Sequence, residues 1–347
     1  MIDKNKHILN HSASIKDGLV RINELDGSAV FISDENEIIL GAVTDGDIRR
    51  GILNDISLND SITKVMHSQF RHIKSKNYTI ESINEFRKQN INIVPIIDEN
   101  GRMVKLIDLS TLRSVLPIEV LLMAGGRGER LRPLTDTVPK PMLKIGDKPI
   151  LEHNIDRLAL YGIEKIAISV KYKAEIIESH FGDGSEKGLN ISYIYENEPL
   201  GTIGAIKNIP SIDTESVLVM NSDLLTNIDF EDFYLFFKDK NADMLVASIP
   251  YRVDIPYGVL ETEGDSIVSL KEKPTYTYYS NAGIYLIKTN SLDKIPKDKL
   301  YNATDLMDQL MKDGKNVINY PIVQYWLDIG KHDDFRKAQE DIKHITF

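Results

Sequence analysis

Three glycines, three arginines and a lysine crowd one stretch of this chain. It reads Gly125-Gly126-Arg127-Gly128-Glu129-Arg130-Leu131-Arg132, followed closely by Val138-Pro139-Lys140-Pro141. A residue without a Cβ lets backbone N–H groups come close to phosphate oxygens. Arg127, Arg130, Arg132 and Lys140 add cationic donors. The block therefore suits a phosphorylated ligand. No Gly-Lys-Ser/Thr follows, so it is not a Walker A loop. Nor does it open a helix as a dinucleotide fingerprint would. Downstream, Asn221-Ser222-Asp223 follows an apolar run, at what should be a strand's carboxyl end, where ligands of open α/β sheets bind.

Plainer readings stand beside these. Asp223 would also serve as a helix N-cap, Asp328 as a turn residue before Gly330, and Lys273 as a solvated loop lysine. His153, on an apolar helix face, reads as a packed residue, and Trp326 as part of the core.

The elements that must position these residues alternate from position 118 onward. Strands are expected over 118–123, 166–170, 191–195, 217–220, 244–249, 267–270 and 283–287. Helices are expected over 150–161, 174–181, 202–209, 230–238, 303–312 and 333–342. Such alternation predicts a Rossmann-like α/β fold with a mixed, mainly parallel sheet.

The first third repeats itself. A shift of 64 residues places Asp34-Glu35-Asn36 on Asp98-Glu99-Asn100, Val30 on Val94 and Ile32 on Ile96. Each copy reads helix, strand, polar turn, strand, helix, with opening helices over 15–25 and 80–89. Two copies of one such unit form an internal pseudo-dimer. Pro117 ends the second copy and sets a boundary near position 116.

At 347 residues the chain is long enough for two domains. Apolar residues make up 42% and charged residues 27%, an ordinary globular composition. Cysteine is absent, which excludes disulfides, thiolate metal sites and cysteine nucleophiles. The formal charge is −10, from 42 Lys+Arg against 52 Asp+Glu, so no nucleic-acid partner is expected. With no long apolar run and a polar N-terminus, neither a membrane span nor a secretory leader is expected, and a cytoplasmic location follows.

Six further motifs follow the glycine block in order. They are Glu196-Asn197-Glu198-Pro199-Leu200-Gly201-Thr202, Asn221-Ser222-Asp223, Tyr257-Gly258-Val259, Glu272-Lys273-Pro274, Asn281-Ala282-Gly283-Ile284-Tyr285 and Trp326-Leu327-Asp328-Ile329-Gly330. Together they resemble the signature of sugar-1-phosphate nucleotidyltransferases, in the mannose-1-phosphate guanylyltransferase-like branch, over a domain at 117–347. In the first copy, Gly41-Ala42-Val43-Thr44-Asp45-Gly46-Asp47-Ile48 resembles a CBS domain. Residues 1–115 thus resemble a tandem CBS pair, about 1–66 and 67–115, fused in front.

The resemblance implies attack of a sugar-1-phosphate oxygen on the α-phosphorus of a nucleoside triphosphate, with pyrophosphate leaving. The expected nucleotide is GTP, with UTP, CTP or dTTP as alternatives. The expected sugar phosphate is glucosamine-1-phosphate or mannose-1-phosphate, as in bacterial surface-glycan or nonulosonic acid synthesis. Gly125, Gly126 and Gly128 would cradle the triphosphate. Arg130 would neutralise the leaving pyrophosphate, and Lys140 would bridge the two substrates' phosphates. Asp223 and Asp328 would hold Mg²⁺, and Lys273 the acceptor phosphate. Glu272, Asn281 and the Gly258 backbone would face the sugar, while Asn221 would also touch substrate. Glu196, Gly201 and Thr202 would line the base and sugar pocket.

For the first third, the resemblance implies an adenine nucleotide at Thr44 and Asp47. The second copy has Asp108 and Thr111 there, so its site departs from the pattern. A module that only packs or assembles into a homo-oligomer is the competing reading. A non-catalytic nucleotide sensor is the competing reading for the whole chain, but it would be expected to have lost one of the charged residues. A bifunctional acetyltransferase would need hexapeptide repeats after the last helix, and none is expected.

Overall fold

The computed structural model describes residues 3–75 and 79–345. The chain divides into two compact units, Met1–Val115 and Leu116–Phe347.

The first unit contains β1 (Ile8–Asn10), α1 (Ile15–Glu24), β2 (Val30–Ser33), β3 (Ile39–Val43), α2 (Asp45–Leu53), β4 (Ile73–Lys74), α3 (Ile80–Lys88), β5 (Ile93–Ile97) and β6 (Met103–Asp108). The two copies fold alike. β1 runs parallel to β2 and β2 antiparallel to β3; β4, β5 and β6 repeat that pattern, with bulges at Ile32/Ser33 and Ile96/Ile97. The polar turns match atom for atom. Asp34 Oδ1 accepts from the N–H groups of Asn36 and Ile38 at 2.9 and 2.8 Å, and Asp98 Oδ1 from those of Asn100 and Arg102 at the same distances.

The copies differ where a second closing helix was expected. In copy one, Thr44 and Asp47 form a reciprocal capping box that starts α2. In copy two, Asp108 Oδ1 instead accepts from the Ser110 N–H at 2.8 Å and from its hydroxyl at 2.6 Å. That local turn competes with helix initiation, and among the described residues no α-helix follows β6 within this unit.

The second unit opens with β7 (Glu119–Met123) and the short pair β8 (Lys144–Ile145) and β9 (Lys148–Pro149). Then come α4 (Ile150–Leu160), β10 (Lys165–Val170), α5 (Ala174–Phe181), β11 (Asn190–Tyr195), β12 (Ser216–Asn221), β13 (Leu224–Thr226) and α6 (Phe230–Asp239). It ends with β14 (Met244–Asp254), β15 (Val259–Glu263), β16 (Ser266–Lys271), β17 (Thr275–Lys288), α7 (Ala303–Lys312), β18 (Val317–Pro321), β19 (Trp326–Asp328) and α8 (His332–Asp341). Among the described residues the main sheet has seven strands, ordered β11-β10-β7-β12-β17-β14-β18. All neighbours are parallel except β17, which runs antiparallel to β12 and β14. This is a mixed α/β sheet of mainly parallel strands, as the alternating pattern predicts. Leu121, Val217, Val219, Tyr285 and Ile287 fill one face against Leu306 and Leu310 of α7.

Several elements differ from expectation. Positions 202–209 form a 3-10 segment, Gly204–Asn208, rather than an α-helix. The strand expected over 267–270 pairs, among the described residues, only with β15, in a hairpin of its own. β17 extends the expected 283–287 to 14 residues, because its first half pairs with the outer half of β14 in an exposed arm. β18 has no counterpart among the expected strands, since Asn319 and Pro321 interrupt its apolar pattern.

The connection order fixes where a ligand belongs. The chain goes from β7 outward to β10 and β11, then returns to β12 on the other side of β7. The switch point lies between the carboxyl ends of β7 and β12, the crevice where open α/β sheets bind ligands. Gly125 follows the first of these strands and Asp223 the second.

Candidate active site

Gly128 has φ +63 and caps the 3-10 segment Glu129–Leu131. A Cβ there would stand 2.8 Å from Lys140 Cβ and 3.0 Å from Thr135 Cγ2. The Gly128 carbonyl accepts from the Thr135 hydroxyl at 2.9 Å. Glycine at 128 is thus what lets the loop fold down onto Lys140. Around Gly126 the corresponding space is open. Gly125 lies against Glu196, whose Oε1 would be 3.1 Å from an added Cβ.

Lys140 begins the 3-10 segment Lys140–Met142 and is 8% exposed. Its ammonium is ion-paired with Asp223 Oδ2 and stands 3.7 Å from Asp328 Oδ1. Strand pairing brings the two carboxylates together: β13 runs antiparallel to β19 with Leu224 opposite Asp328, and the Ile329 N–H donates to the Asp223 carbonyl at 3.1 Å. Ser222 secures the other side, donating through N–H and hydroxyl to the Met123 carbonyl at 3.2 and 2.6 Å. The ends of β7 and β12 are thereby clamped together.

Two carboxylates share one lysine, and one oxygen of each lacks a hydrogen bond; for Asp328 it is the oxygen that faces the ammonium. Asp223 Oδ1 and Asp328 Oδ1 are both buried with no hydrogen-bond partner among the described residues. Burial raises the Asp328 carboxyl above its ordinary value, and the charge of Asp223 adds to this. Lys140 and Arg130 offset it only in part. Such an oxygen pair suits a hard cation that completes its shell with phosphate and water oxygens. Among the described residues, no group of three or more His, Cys, Asp or Glu could hold a metal with side chains alone.

Arg130 reaches the same corner from the glycine block. Its guanidinium lies over Gly330, 3.5 Å from where a Cβ would be. Asp334, on α8, accepts from the Gly330 and Lys331 N–H groups at 3.2 and 3.0 Å and shapes that turn. Arg132 instead pairs with Asp136 at 3.4 Å.

Residues 119–345 match the nucleotidyl transferase family. The chain belongs to that family. A mannose-1-phosphate guanylyltransferase of Mycobacterium tuberculosis is 33% identical over 231 residues, which cover 65% of this chain and 64% of that one. The chain thus spans less than two thirds of that relative's length. A D-glycero-α-D-manno-heptose 1-phosphate guanylyltransferase of Aneurinibacillus thermoaerophilus is 32% identical, across 65% of this chain and 99% of its own. Among solved structures, HddC from Yersinia pseudotuberculosis complexed with GMP-PN is 30% identical with a TM-score of 0.51, covering 65% of this chain and 99% of HddC.

The remaining motif residues of this nucleotidyltransferase unit fall into separate groups. Asn221 packs under Gly283, where a Cβ would be 2.6 Å from its Nδ2, and the Gly283 N–H donates to Asn281 Oδ1 at 3.0 Å. Gly258 faces Glu272, whose Oε2 would be 3.1 Å from a Cβ. Lys273 is exposed, with φ 45. Among the described residues no hydrogen bond or ion pair joins it to the Lys140 group.

Glu196 holds its own loop. It accepts from the Ser169 hydroxyl and from the Leu200 N–H, the latter at 2.9 Å. Gly201 and Thr202 dock the start of α7. A Cβ on Gly201 would meet the Tyr301 carbonyl at 2.6 Å, and Thr202 Oγ1 accepts from the Ala303 N–H at 2.7 Å. These contacts hold the 196–202 loop in place against the start of α7. The Trp326 indole donates to the Ala282 carbonyl at 3.0 Å, a packing role. His153 bonds the Ile145 carbonyl at 2.9 Å.

Asn154, beside His153, is the residue that sequence reasoning missed. It is 3% exposed, and its Nδ2 donates to the Ser222 and Leu224 carbonyls at 3.3 and 2.9 Å, one on each side of Asp223. The signal was available. Ile150, Leu151, Ile155 and Leu158 form the buried stripe of α4, and an amide at 154 on that stripe needs polar partners. Replacing Asn154 by Leu strands two buried carbonyls, at a cost of about 1–3 kcal/mol. The expected outcome is a lower melting temperature and a roughly tenfold lower kcat with a weaker response to divalent cation. Thermal melts and metal titrations of turnover check both.

Proposed function

We propose that the chain is a sugar-1-phosphate guanylyltransferase, converting GTP and a sugar-1-phosphate into a GDP-sugar and pyrophosphate. The observation that carries this reading is the meeting of Lys140, Asp223 and Asp328 at the switch point, beside the glycine loop. A sugar phosphate is already an anion at neutral pH, so the reaction needs no general base. It needs two anions brought together and charge stabilised on the departing pyrophosphate, which is positioning plus electrostatics.

In this reading the N–H groups of the 125–128 loop cradle the triphosphate. Arg130 takes the β- and γ-phosphates, and Lys140 spans the α-phosphate and the acceptor phosphate. Lys273, Glu272, Gly258 and Asn281, on the β14–β17 arm and its hairpin, hold the acceptor sugar phosphate. Asp223 and Asp328 hold Mg²⁺, which supplies charge neutralisation and orientation of the phosphates. The similarity to mannose-1-phosphate and manno-heptose 1-phosphate guanylyltransferases, and the GMP-PN in the HddC complex, favour GTP and a manno-configured sugar. A uridylyltransferase of Synechocystis at 30% identity makes UTP the next nucleotide to test.

For the first unit we propose a CBS pair with an adenine nucleotide in the cleft between its two copies. That cleft, about 630 Å³, is lined by His7, Ser28 and Thr44 from one copy and Asn92, Asp108 and Ser110 from the other. Ser28 Oγ is buried there with no hydrogen-bond partner among the described residues. Asp47 is otherwise engaged. Burial raises its carboxyl, but hydrogen bonds from Thr44 and Arg50 outweigh this and leave it below the ordinary value. A millimolar dose of AMP, ADP or ATP is expected to raise the melting temperature, an effect lost in Thr44→Ala; no rise with any of them contradicts nucleotide binding.

The catalytic reading is tested by pyrophosphate release across four nucleoside triphosphates and several sugar-1-phosphates with Mg²⁺. Preference for GTP with one sugar phosphate supports it. Preference for UTP corrects the base, and silence with every pair contradicts the activity.

A further inference from the structure

The Lys140 ammonium is asked to contact phosphates, yet in the structure it is committed elsewhere. Its side chain is 10% exposed, paired with Asp223 Oδ2 and 3.7 Å from Asp328 Oδ1. Asp223 Oδ1 and Asp328 Oδ1 are buried without a hydrogen bond among the described residues, and the second of them is the oxygen that faces the ammonium. Two anions facing one cation leave one negative charge over. A divalent cation placed on the pair would stand beside the ammonium, and like charges a few ångströms apart repel strongly even at a protein's effective dielectric. The carboxylates can therefore be fully engaged by one of the two cations, not by both.

We propose that the Lys140 ammonium and a divalent cation are alternative partners of the Asp223–Asp328 pair, so that cation binding releases Lys140 toward the phosphates. This rests on the reading that these carboxylates take a divalent cation. Lys140 then has two positions. On the carboxylates it offsets one of their two negative charges. Swung away, it arms the site when nucleotide arrives with its metal. The Lys140 backbone need not move, because the 140–142 turn is fixed: the Met142 N–H donates to the Pro139 carbonyl at 2.8 Å and the Leu143 N–H to the Lys140 carbonyl at 3.1 Å.

The consequence runs against intuition: removing a catalytic lysine should strengthen metal binding. Mn²⁺ is titrated calorimetrically into the full chain without nucleotide, for wild type, Lys140→Met and Asp223→Asn, each checked for folding by circular dichroism. Lys140→Met is expected to bind Mn²⁺ about tenfold more tightly than wild type, and Asp223→Asn at least about tenfold more weakly. If Lys140→Met binds equally or less tightly while Asp223→Asn loses binding, the exchange is overturned and the cation site stands. If Asp223→Asn binds like wild type, the site reading itself fails and the exchange with it. A wild-type measurement covers the case of a variant that does not fold. Acetylation of Lys140 by acetic anhydride, read by peptide mass, should rise several-fold at millimolar Mn²⁺, and unchanged or reduced labelling overturns the exchange.

Discussion

Replacing Asp223 by Asn is expected to lower turnover about 1,000-fold while the melting temperature stays level or rises slightly. The loss in rate follows from the proposed role of Asp223 as one of two carboxylates that hold the cation, a contribution of several kcal/mol to stabilising phosphate charge. The stability outcome follows from counting charges. Lys140 faces Asp223 and, at 3.7 Å, Asp328. Removing one member of a lone buried pair is costly because the other is stranded. Here the neutral amide would leave Lys140 with Asp328, a balanced pair, and remove the repulsion that helps raise the Asp328 carboxyl. Steady-state kinetics with Mg²⁺ and a thermal melt check the two halves. Turnover within about tenfold of wild type would contradict the metal assignment, and a large drop in melting temperature would contradict the charge count.

Replacing Lys140 by Met should cost both activity and stability. An ammonium aimed at charge that develops in the transition state is worth about 100- to 1,000-fold in rate. The stability cost comes from leaving Asp223 and Asp328 facing each other without compensation. Because the Asp328 side chain is 46% exposed, water screens part of this, and about 1–3 kcal/mol is expected rather than the full penalty of a buried pair. For a domain of this size that lowers the melting temperature by several degrees. Mg²⁺ should restore much of the stability and none of the turnover. Equal stability of Lys140→Met and wild type without metal would contradict the arrangement, as would turnover rescued by Mg²⁺ alone.

The two substitutions separate what the sequence makes legible from what it does not. The glycine block, the carboxylate after β12 and the alternation of strands and helices can be read directly, because each is a local pattern with a local cause. The repeat in the first unit is legible for the same reason: Asp34 and Asp98 make the same turn. Contacts between distant segments are not. Nothing local indicates that Leu224 pairs opposite Asp328, yet that register brings the two carboxylates to one lysine. Gly201 and Thr202 look like pocket residues by motif, and nothing local indicates that their neighbours at 301–303 also make them a docking point for α7. Asn154 escapes notice because the neighbouring histidine is the more conspicuous chemical group, whereas the informative feature is an amide on a buried stripe. The expected closing helix of the second copy does not form because a Thr–Asp cap is replaced by an Asp–Ser turn.

Transfer of α-labelled GMP tests the central claim most directly. The full chain is incubated with Mg²⁺, α-³²P-GTP and a panel of manno- and gluco-configured sugar-1-phosphates, and the products are separated by anion exchange. Label is expected in a GDP-sugar, with one pyrophosphate formed for each label transferred, and about 1,000-fold slower transfer in Asp223→Asn. Label found only in GTP, GDP or GMP, whatever the sugar phosphate, would contradict the claim.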